Sequence, residues 1–258
     1  MALLAVSGIS KNFGGLRVLN KAGLEVAEGS ITGLVGPNGS GKTTLFHIIF
    51  GLHKPDEGTV NFRGQAITGF PPYRVFRAGL AFGFQLPRLF SRLTVLDNLL
   101  LAARDQTGER LGGAFFARRR WQREESDLAD KALEILELIE MVPLALKPAG
   151  ELSGGQRKLV EIGRALMADP VLMLLDEPAA GVNPVLARKI YQTLDKLRRE
   201  RGLTFLIIEH RLEILLDFAD YIYLMDTGEV VLEGEPHRVL EDPVFYATYV
   251  GERPRWPF

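Results

Sequence analysis

The chain has 258 residues, of which 47% are hydrophobic and 24% charged, and this balance indicates a folded globular protein. Its 31 basic and 32 acidic residues give a formal net charge of −1, without the basic surplus typical of nucleic-acid-binding proteins. The absence of cysteine excludes disulfides and thiolate zinc sites, and no apolar run approaches the ~18 residues that cross a bilayer. We therefore expect a chain of the cytosol, or one that docks on a membrane through a partner.

The first third of the chain is rich in segments with strand character. LLAVSGISKNF and LRVLNKAGLEV flank Gly14-Gly15, which predicts a hairpin or a tight loop. SITGLVG is a predicted buried strand that leads into a glycine-rich loop and the helix KTTLFHIIFGL. GTVNFRG and GLAFGFQ are two further short predicted strands.

The glycine-rich loop matches the phosphate-binding pattern G-x-x-x-x-G-K-[ST] in full. Its glycines let backbone N–H groups curl around phosphates where a Cβ would intrude. Lys42 is expected to reach the β- and γ-phosphates, and the Thr43 hydroxyl to bind Mg²⁺. A glycine-rich turn without a ligand is disfavoured, because the strand before and the helix after agree with the pattern. The predicted loop comprises Gly36, Pro37, Asn38, Gly39, Ser40, Gly41, Lys42, Thr43 and Thr44.

The middle of the chain, from Thr94 to about Ala168, is predicted to be helical. Thr94 and Asp97 form a capping-box pattern for the first of these helices. Further along, LSGGQRKLVEIGRAL opens with a serine and two glycines and continues as an amphipathic helix. Because a helix N-terminus presents N–H groups and a favourable dipole to anions, this turn predicts a second anion site. Its residues are Ser153, Gly154, Gly155 and Gln156.

The next predicted strand is VLMLLDEP, whose continuous apolar run indicates that it is covered on both faces. It ends in Asp176 and Glu177, at the carboxyl edge where parallel sheets bind ligands. Asp176 is expected to hold Mg²⁺, and Glu177 to activate water as a general base. Alone, these acids would be interpreted as a strand end and a turn, but the phosphate loop favours a nucleotide site.

The remaining elements complete an α/β pattern. Asn183-Pro184 supplies a cap and first residue for the helix PVLARKIYQTLDKLRRERG, LTFLIIEH is a buried strand, and DYIYLMDTGEVVLEGEP is a hairpin around Thr227-Gly228. We predict one domain over residues 1–258, in which a nucleotide-binding core (1–85 and 166–258) is interrupted by a helical segment (86–165).

Together these motifs resemble the ATPase subunits of ABC transporters. The phosphate loop, Gln85 after a strand, LSGGQ, LLDEP and His210 after FLIIE occur in the family's order and cover nearly the whole chain. LSGGQ between a phosphate loop and an acid-ended apolar strand is the specific ABC signature. The resemblance implies an α/β P-loop NTPase (ABC ATPase) core with a helical subdomain and an N-terminal antiparallel β subdomain. It also implies ATP hydrolysis, with ATP and Mg²⁺ bound.

The resemblance also implies how the second anion site is used. In ABC ATPases two nucleotide domains pack head to tail, so that each ATP lies between the phosphate loop of one subunit and the signature of the other. The signature of this chain would then cap ATP held by a second subunit, either a copy of the chain or a paralogue. ATP binding and dimer closure would be one equilibrium, moved by differential affinity for the closed state.

Several single residues resemble residues that have known roles in the family. Phe13 resembles the aromatic that stacks on adenine, with Val18 beside it, although a core position in a strand is the alternative. Gln85 resembles the glutamine that senses Mg²⁺ and the γ-phosphate. His210 resembles the switch histidine that contacts the γ-phosphate.

Finer features are similar to the ATP-binding proteins of branched-chain amino acid importers, among them FQLPRLFSRLTVLDNLLLA, DEPAAGVNP and IIEHRLE. This similarity implies transmembrane permease subunits as partners, a solute-binding protein indirectly, no nucleic acid, and a peripheral position on the cytoplasmic face of the membrane. The apolar residues Leu89 and Phe90 are predicted to meet the permease.

Other functions are open at this point. Importers of urea and short-chain amides use related subunits, and the sequence does not name the solute. An ABC ATPase that acts on nucleic acid or ribosomes is a different class, which the neutral charge and the single motif set disfavour. A metabolic P-loop kinase has no place for LSGGQ.

Overall fold

The computed structural model of the chain describes residues 2–83, 89–103 and 118–250. Its centre is a six-stranded sheet in the order β10-β9-β3-β8-β7-β6, parallel except for β10, which pairs antiparallel with β9. Every residue of β3, β7 and β8 is buried, as the continuous apolar runs predicted. The strands are β3 (Ile31–Val35), β6 (Leu80–Gly83), β7 (Leu172–Asp176), β8 (Thr204–Ile208), β9 (Tyr221–Asp226) and β10 (Glu229–Gly234).

A second, four-stranded antiparallel sheet has the order β2-β1-β4-β5. It contains the hairpin predicted at Gly14-Gly15 and forms the N-terminal β subdomain. Its apolar face shares a core with α1 and one face of the large sheet, where Leu4, Phe46 and Leu206 are fully buried. The strands are β1 (Ala2–Phe13), β2 (Leu16–Ala27), β4 (Glu57–Phe62) and β5 (Gln65–Ala66).

Two of the helices begin where the capping signals predicted. Thr94 and Asp97 form a complete capping box, and the Asn183 side chain accepts a hydrogen bond from Leu186 N at 2.9 Å. In the described ranges the helices are α1 (Lys42–Ile49), α2 (Pro72–Arg77), α3 (Val95–Leu100), α4 (Arg118–Leu138), α5 (Gly154–Leu166), α6 (Pro184–Arg201), α7 (Leu212–Leu216), α8 (Pro236–Glu241) and α9 (Pro243–Val250).

The described part of the helical segment, residues 89–103 and 118–165, shares its core with the large sheet. Leu99 of α3, Ile135 of α4 and Leu159 of α5 belong to one buried cluster with Phe205 and Ile207 of the large sheet. The segment that carries the signature is therefore packed on the sheet that carries the phosphate loop. In the described ranges, the helices are too short or too polar to cross a bilayer.

Candidate nucleotide site

The phosphate loop connects β3 to α1, as predicted, and two of its glycines are required by space as well as by backbone angle. Gly36 has φ 149°, and a Cβ there would lie 2.1 Å from the carbonyl oxygen of Met225. Gly41 has φ 100°, and its Cβ would lie 2.9 Å from the carbonyl oxygen of Val18. Since both neighbours are backbone atoms that cannot rotate away, only glycine fits these positions.

Lys42 lies inside the loop. Its ammonium group donates hydrogen bonds to the carbonyl oxygens of Gly36 at 2.8 Å and Pro37 at 2.9 Å, and approaches Ser40 Oγ at 3.4 Å. Burial lowers the pKa of Lys42, while the negative charges of Glu177 and Asp176 oppose that shift. A cation among backbone carbonyls, close to two acids, is suited to exchange these partners for phosphate oxygens.

Asp176 ends β7 beside the start of α1. Thr43 Oγ1 donates to Asp176 Oδ2 at 3.4 Å, so the hydroxyl and the carboxylate predicted to bind Mg²⁺ lie together. Burial, followed by the charge of Glu177, raises the pKa of Asp176. Both groups offer oxygen atoms, and Mg²⁺ is commonly bound by one or two carboxylates together with substrate phosphates, so this pair fits that ion.

Glu177 and His210 are brought together from neighbouring strands. His210 Nε2 lies 3.1 Å from Glu177 Oε1. Glu177 has the left-handed backbone angle φ 50°, which is uncommon for a residue with a side chain. Three hydrogen bonds hold this conformation. Glu177 N donates to Ile208 O at 2.9 Å. The Glu177 carbonyl accepts from Lys158 Nζ at 2.7 Å and from Ala180 N at 3.0 Å.

Two buried charged residues behind the site were not predicted. Lys158 of α5 is 8% exposed, and burial lowers its pKa against the opposing charges of Glu209 and other nearby acids. Glu209 is 1% exposed, and its carboxylate accepts hydrogen bonds from the backbone N–H groups of His210 and Arg211 and from the Tyr191 hydroxyl. Glu209 thereby fixes the backbone that presents His210. The available signal was a lysine on the apolar face of the signature helix.

The signature forms the capped N-terminus of α5. Ser153 Oγ accepts from Gln156 N at 3.3 Å, and Gln156 Oε1 accepts from Ser153 N at 2.9 Å. Its two glycines differ in their surroundings. Gly154 is exposed with no atom within 4 Å of a Cβ position, whereas the Cβ position of the buried Gly155 lies 2.0 Å from Leu186 Cδ2. Gly154 thus faces open space, and Gly155 packs on α6.

Phe13 ends β1 and is 43% exposed, which excludes the alternative of a core residue. Its ring lies edge-on to His53, with 5.4 Å between the centroids, and Lys11 Nζ lies 5.5 Å from the ring centroid. Lys11 is held by an ion pair with Asp56 at 2.8 Å. An exposed aromatic ring that is positioned in this way can stack on a planar base. Val18 lies against the phosphate loop through its carbonyl oxygen, as described above.

Among residues 89–94, the part of the segment before α3 that the structure describes, one apolar residue is exposed. Phe90 is 58% exposed, whereas Leu89 packs partly against the core. Asn98, fully buried, holds this segment: its amide accepts from Phe90 N at 2.8 Å and donates to Phe90 O at 3.1 Å and Thr94 O at 2.8 Å. Gln85, predicted as a catalytic residue and Mg²⁺ ligand, lies outside the described residues.

Three features together define an ATP-binding cassette ATPase. They are a phosphate loop between a parallel strand and a helix, an acid pair at the end of a nearby strand of the same sheet, and a glycine-opened helix packed on that sheet. The model of the ABC transporter family matches residues 19–180, and the chain belongs to this family. A curated relative, the "Probable branched-chain amino acid transport ATP-binding protein LivG" of Archaeoglobus fulgidus, is 42% identical over 251 residues, covering 97% of this chain and 96% of the relative.

Solved structures agree with this assignment. An ATP-binding cassette of an ABC transporter in its ADP conformation has a TM-score of 0.84 and 41% identity, covering 98% of this chain and 100% of that one. A dimeric structure of a bacterial ABC transporter cassette has a TM-score of 0.74 and 28% identity, covering 90% of this chain and 98% of that one.

Proposed function

We propose that the chain is the ATP-hydrolysing subunit of an importer for branched-chain or related amino acids. The observation that carries the hydrolytic part is the strand order β3-β8-β7. β3 leads to the phosphate loop, β8 leads to His210, and β7 ends at the acid pair. Since these three strands are adjacent and parallel, their carboxyl ends place all of these groups at one edge of the sheet.

In the proposed reaction, Lys42 and the loop N–H groups bind the phosphates of ATP, and Phe13 with Val18 receives the adenine. Thr43 and Asp176 would hold Mg²⁺, and the ion would neutralise charge on the phosphates when bound. Glu177 accepts a proton from the attacking water. His210, 3.1 Å from Glu177, orients that carboxylate and contacts the γ-phosphate. Gln85 completes the proposed set.

The signature is proposed to act on a second subunit. Ser153 is exposed, and Gly154 has open space around its Cβ position, so the capped N-terminus of α5 is accessible to a phosphate from outside the chain. The dimeric cassette structure supports pairing of two such subunits. The proposed partner is a copy of this chain or a paralogue.

The transport part of the proposal is supported by relatives named for branched-chain amino acid transport, at 35–42% identity over almost their whole length. It places the chain on permease subunits at the cytoplasmic face of the membrane, with a solute-binding protein as an indirect partner. The exposed Phe90, held by Asn98, is the proposed contact with the permease.

The test of hydrolysis and pairing uses Glu177→Gln, which keeps the shape of the side chain and removes its basicity. We expect near-complete loss of ATP hydrolysis, retained ATP binding, and an ATP-dependent dimer on size-exclusion chromatography. Adding Ser153→Arg should abolish that dimer, because the bulky side chain would keep the N-terminus of α5 away from the phosphate. Hydrolysis within a few-fold of wild type would contradict the role of Glu177, and a double variant that still dimerises with ATP would contradict the proposed interface.

The solute is tested in vesicles that contain the assembled transporter with its permease and solute-binding protein. ATP-dependent uptake of labelled leucine, isoleucine or valine supports the proposal. Uptake of urea or a short-chain amide in place of these amino acids would assign the subunit to a related importer. The matched Glu177→Gln complex controls for uptake without hydrolysis.

A further inference from the structure

The C-terminal helix α9 reaches the phosphate loop through one hydrogen bond. The Tyr249 hydroxyl accepts a hydrogen bond from Gly36 N at 2.8 Å, between residues 213 positions apart in the chain. The ring of Tyr249 stacks on the buried Phe245, with 4.9 Å between centroids and 29° between planes. Phe245 thereby anchors the Tyr249 ring next to the loop.

Gly36 is held on three sides. Its N–H is bonded to Tyr249, its carbonyl oxygen accepts from Lys42 Nζ at 2.8 Å, and the Met225 carbonyl occupies the space beside its Cα. The backbone of β9 and the side chain of Tyr249 therefore fix the residue from which the loop begins. The orientation of Gly36 in turn determines where Lys42 finds its carbonyl partner.

We propose that Tyr249 is a positioning residue for ATP binding, because its hydroxyl fixes the Gly36 peptide and holds the phosphate loop in the shape that receives phosphates. Tyr249 does not contact the reacting atoms and acts through Gly36 and Lys42. A tyrosine hydroxyl is neutral near neutral pH, and burial raises the pKa of Tyr249 further. A neutral oxygen next to an anion site accepts from Gly36 without adding a negative charge that would repel phosphate.

The proposal assigns different roles to the hydroxyl and to the ring of Tyr249. Packing on Phe245 needs only the ring, which phenylalanine would supply equally well, whereas the contact with Gly36 needs the oxygen atom. Without that oxygen the Gly36 N–H loses its partner, and the first peptide of the loop can rotate. We expect this freedom to weaken ATP binding more than the chemical step, because Glu177 and His210 are positioned by other strands.

The test compares Tyr249→Phe with Tyr246→Phe in the full chain. Tyr246 lies on the same helix and also contacts Phe245, edge-on at 6.0 Å, but is 51% exposed. Steady-state ATPase assays should show KM for ATP raised about three- to tenfold in Tyr249→Phe, as expected for one lost hydrogen bond, with kcat within twofold of wild type. Tyr246→Phe should match wild type in both constants.

Thermal unfolding without nucleotide controls for a purely structural effect, and Tyr249→Ala removes ring and hydroxyl together. An unchanged KM in Tyr249→Phe, combined with a raised KM in Tyr249→Ala, would overturn the proposal, since packing alone would then explain the contact. A fall in kcat at unchanged KM would overturn it as well. A raised KM in Tyr249→Phe, with the melting temperature within a few degrees of wild type, would support it.

Discussion

The neighbouring glycines of the signature provide a matched pair of substitutions. Gly154→Ala and Gly155→Ala add the same methyl group to the first turn of the same helix, α5. At Gly154 the added carbon meets no atom within 4 Å. At Gly155 it would lie 2.0 Å from Cδ2 and 2.5 Å from Cγ of Leu186, and 3.3 Å from Cγ1 of Val182. The two variants therefore differ in packing and share their change in helix propensity.

The expected difference follows from these distances. Alanine is more favourable than glycine in a helix by about 1 kcal/mol, a gain that both variants share and that cancels when they are compared. A contact at 2.0 Å forces Leu186 to change rotamer and α5 to shift from α6, and such overpacking costs about 1–3 kcal/mol. Leu186 is only half-buried and can move partly toward solvent, so we expect the lower half of that range.

Thermal and urea unfolding of the isolated chain measure this difference. In domains of this size 1 kcal/mol corresponds to roughly 2–4 °C in melting temperature, so Gly155→Ala should melt several degrees below Gly154→Ala. Gly154→Ala should be at least as stable as wild type. Equal melting temperatures for the two variants would refute the reasoning, because the close packing of Gly155 on Leu186 would then have no energetic consequence.

Two further changes test groups that support the site. Lys158→Met removes the ammonium group that donates a hydrogen bond to the Glu177 carbonyl. Because a hydrogen bond to a charged group contributes about 1.5–3 kcal/mol, ATPase assays at saturating ATP should show kcat lowered at least about tenfold. An unchanged kcat would mean that the Glu177 backbone keeps its position without Lys158. Asn98→Leu keeps similar bulk but leaves Phe90 N without its partner, whereas the Phe90 and Thr94 carbonyls keep backbone donors. Urea titration should show the unfolding free energy lowered by about 1–3 kcal/mol, the cost of an unsatisfied polar group. If Asn98→Leu had the unfolding free energy of wild type, water would have replaced the hydrogen bonds of the Asn98 amide.

The phosphate loop, the acid-ended strand and the helix caps could be predicted because their signals are local. Glycine spacing, an apolar run and a capping pair each lie within a few consecutive residues. The short helices α8 and α9 were missed, although Pro236 and Pro243 at their first positions are typical N-terminal signals. Each helix has only a turn or two, too few for an apolar period to appear.

The groups behind the site could not be predicted because their partners are distant in sequence. Lys158 meets Glu177, and Tyr249 meets Gly36, only once the sheet and its helices have assembled. Gly155 shows a second limit of prediction from the sequence. The motif assigned it to a nucleotide, whereas its close contact with Leu186 depends on how α5 crosses α6. The sequence pattern predicted a role in nucleotide binding for this glycine and gave no indication of its packing role.

The left-handed backbone of Glu177 implies a conflict between selection for activity and selection for stability. A side chain in this conformation costs about 1–3 kcal/mol, which glycine would not incur and asparagine would incur less. At this one position, the residues best suited to the backbone cannot serve as the proposed base. A lineage released from the need to hydrolyse ATP should therefore drift toward glycine or asparagine here, with a more stable fold. Such a replacement in a related chain would mark a degenerate nucleotide site.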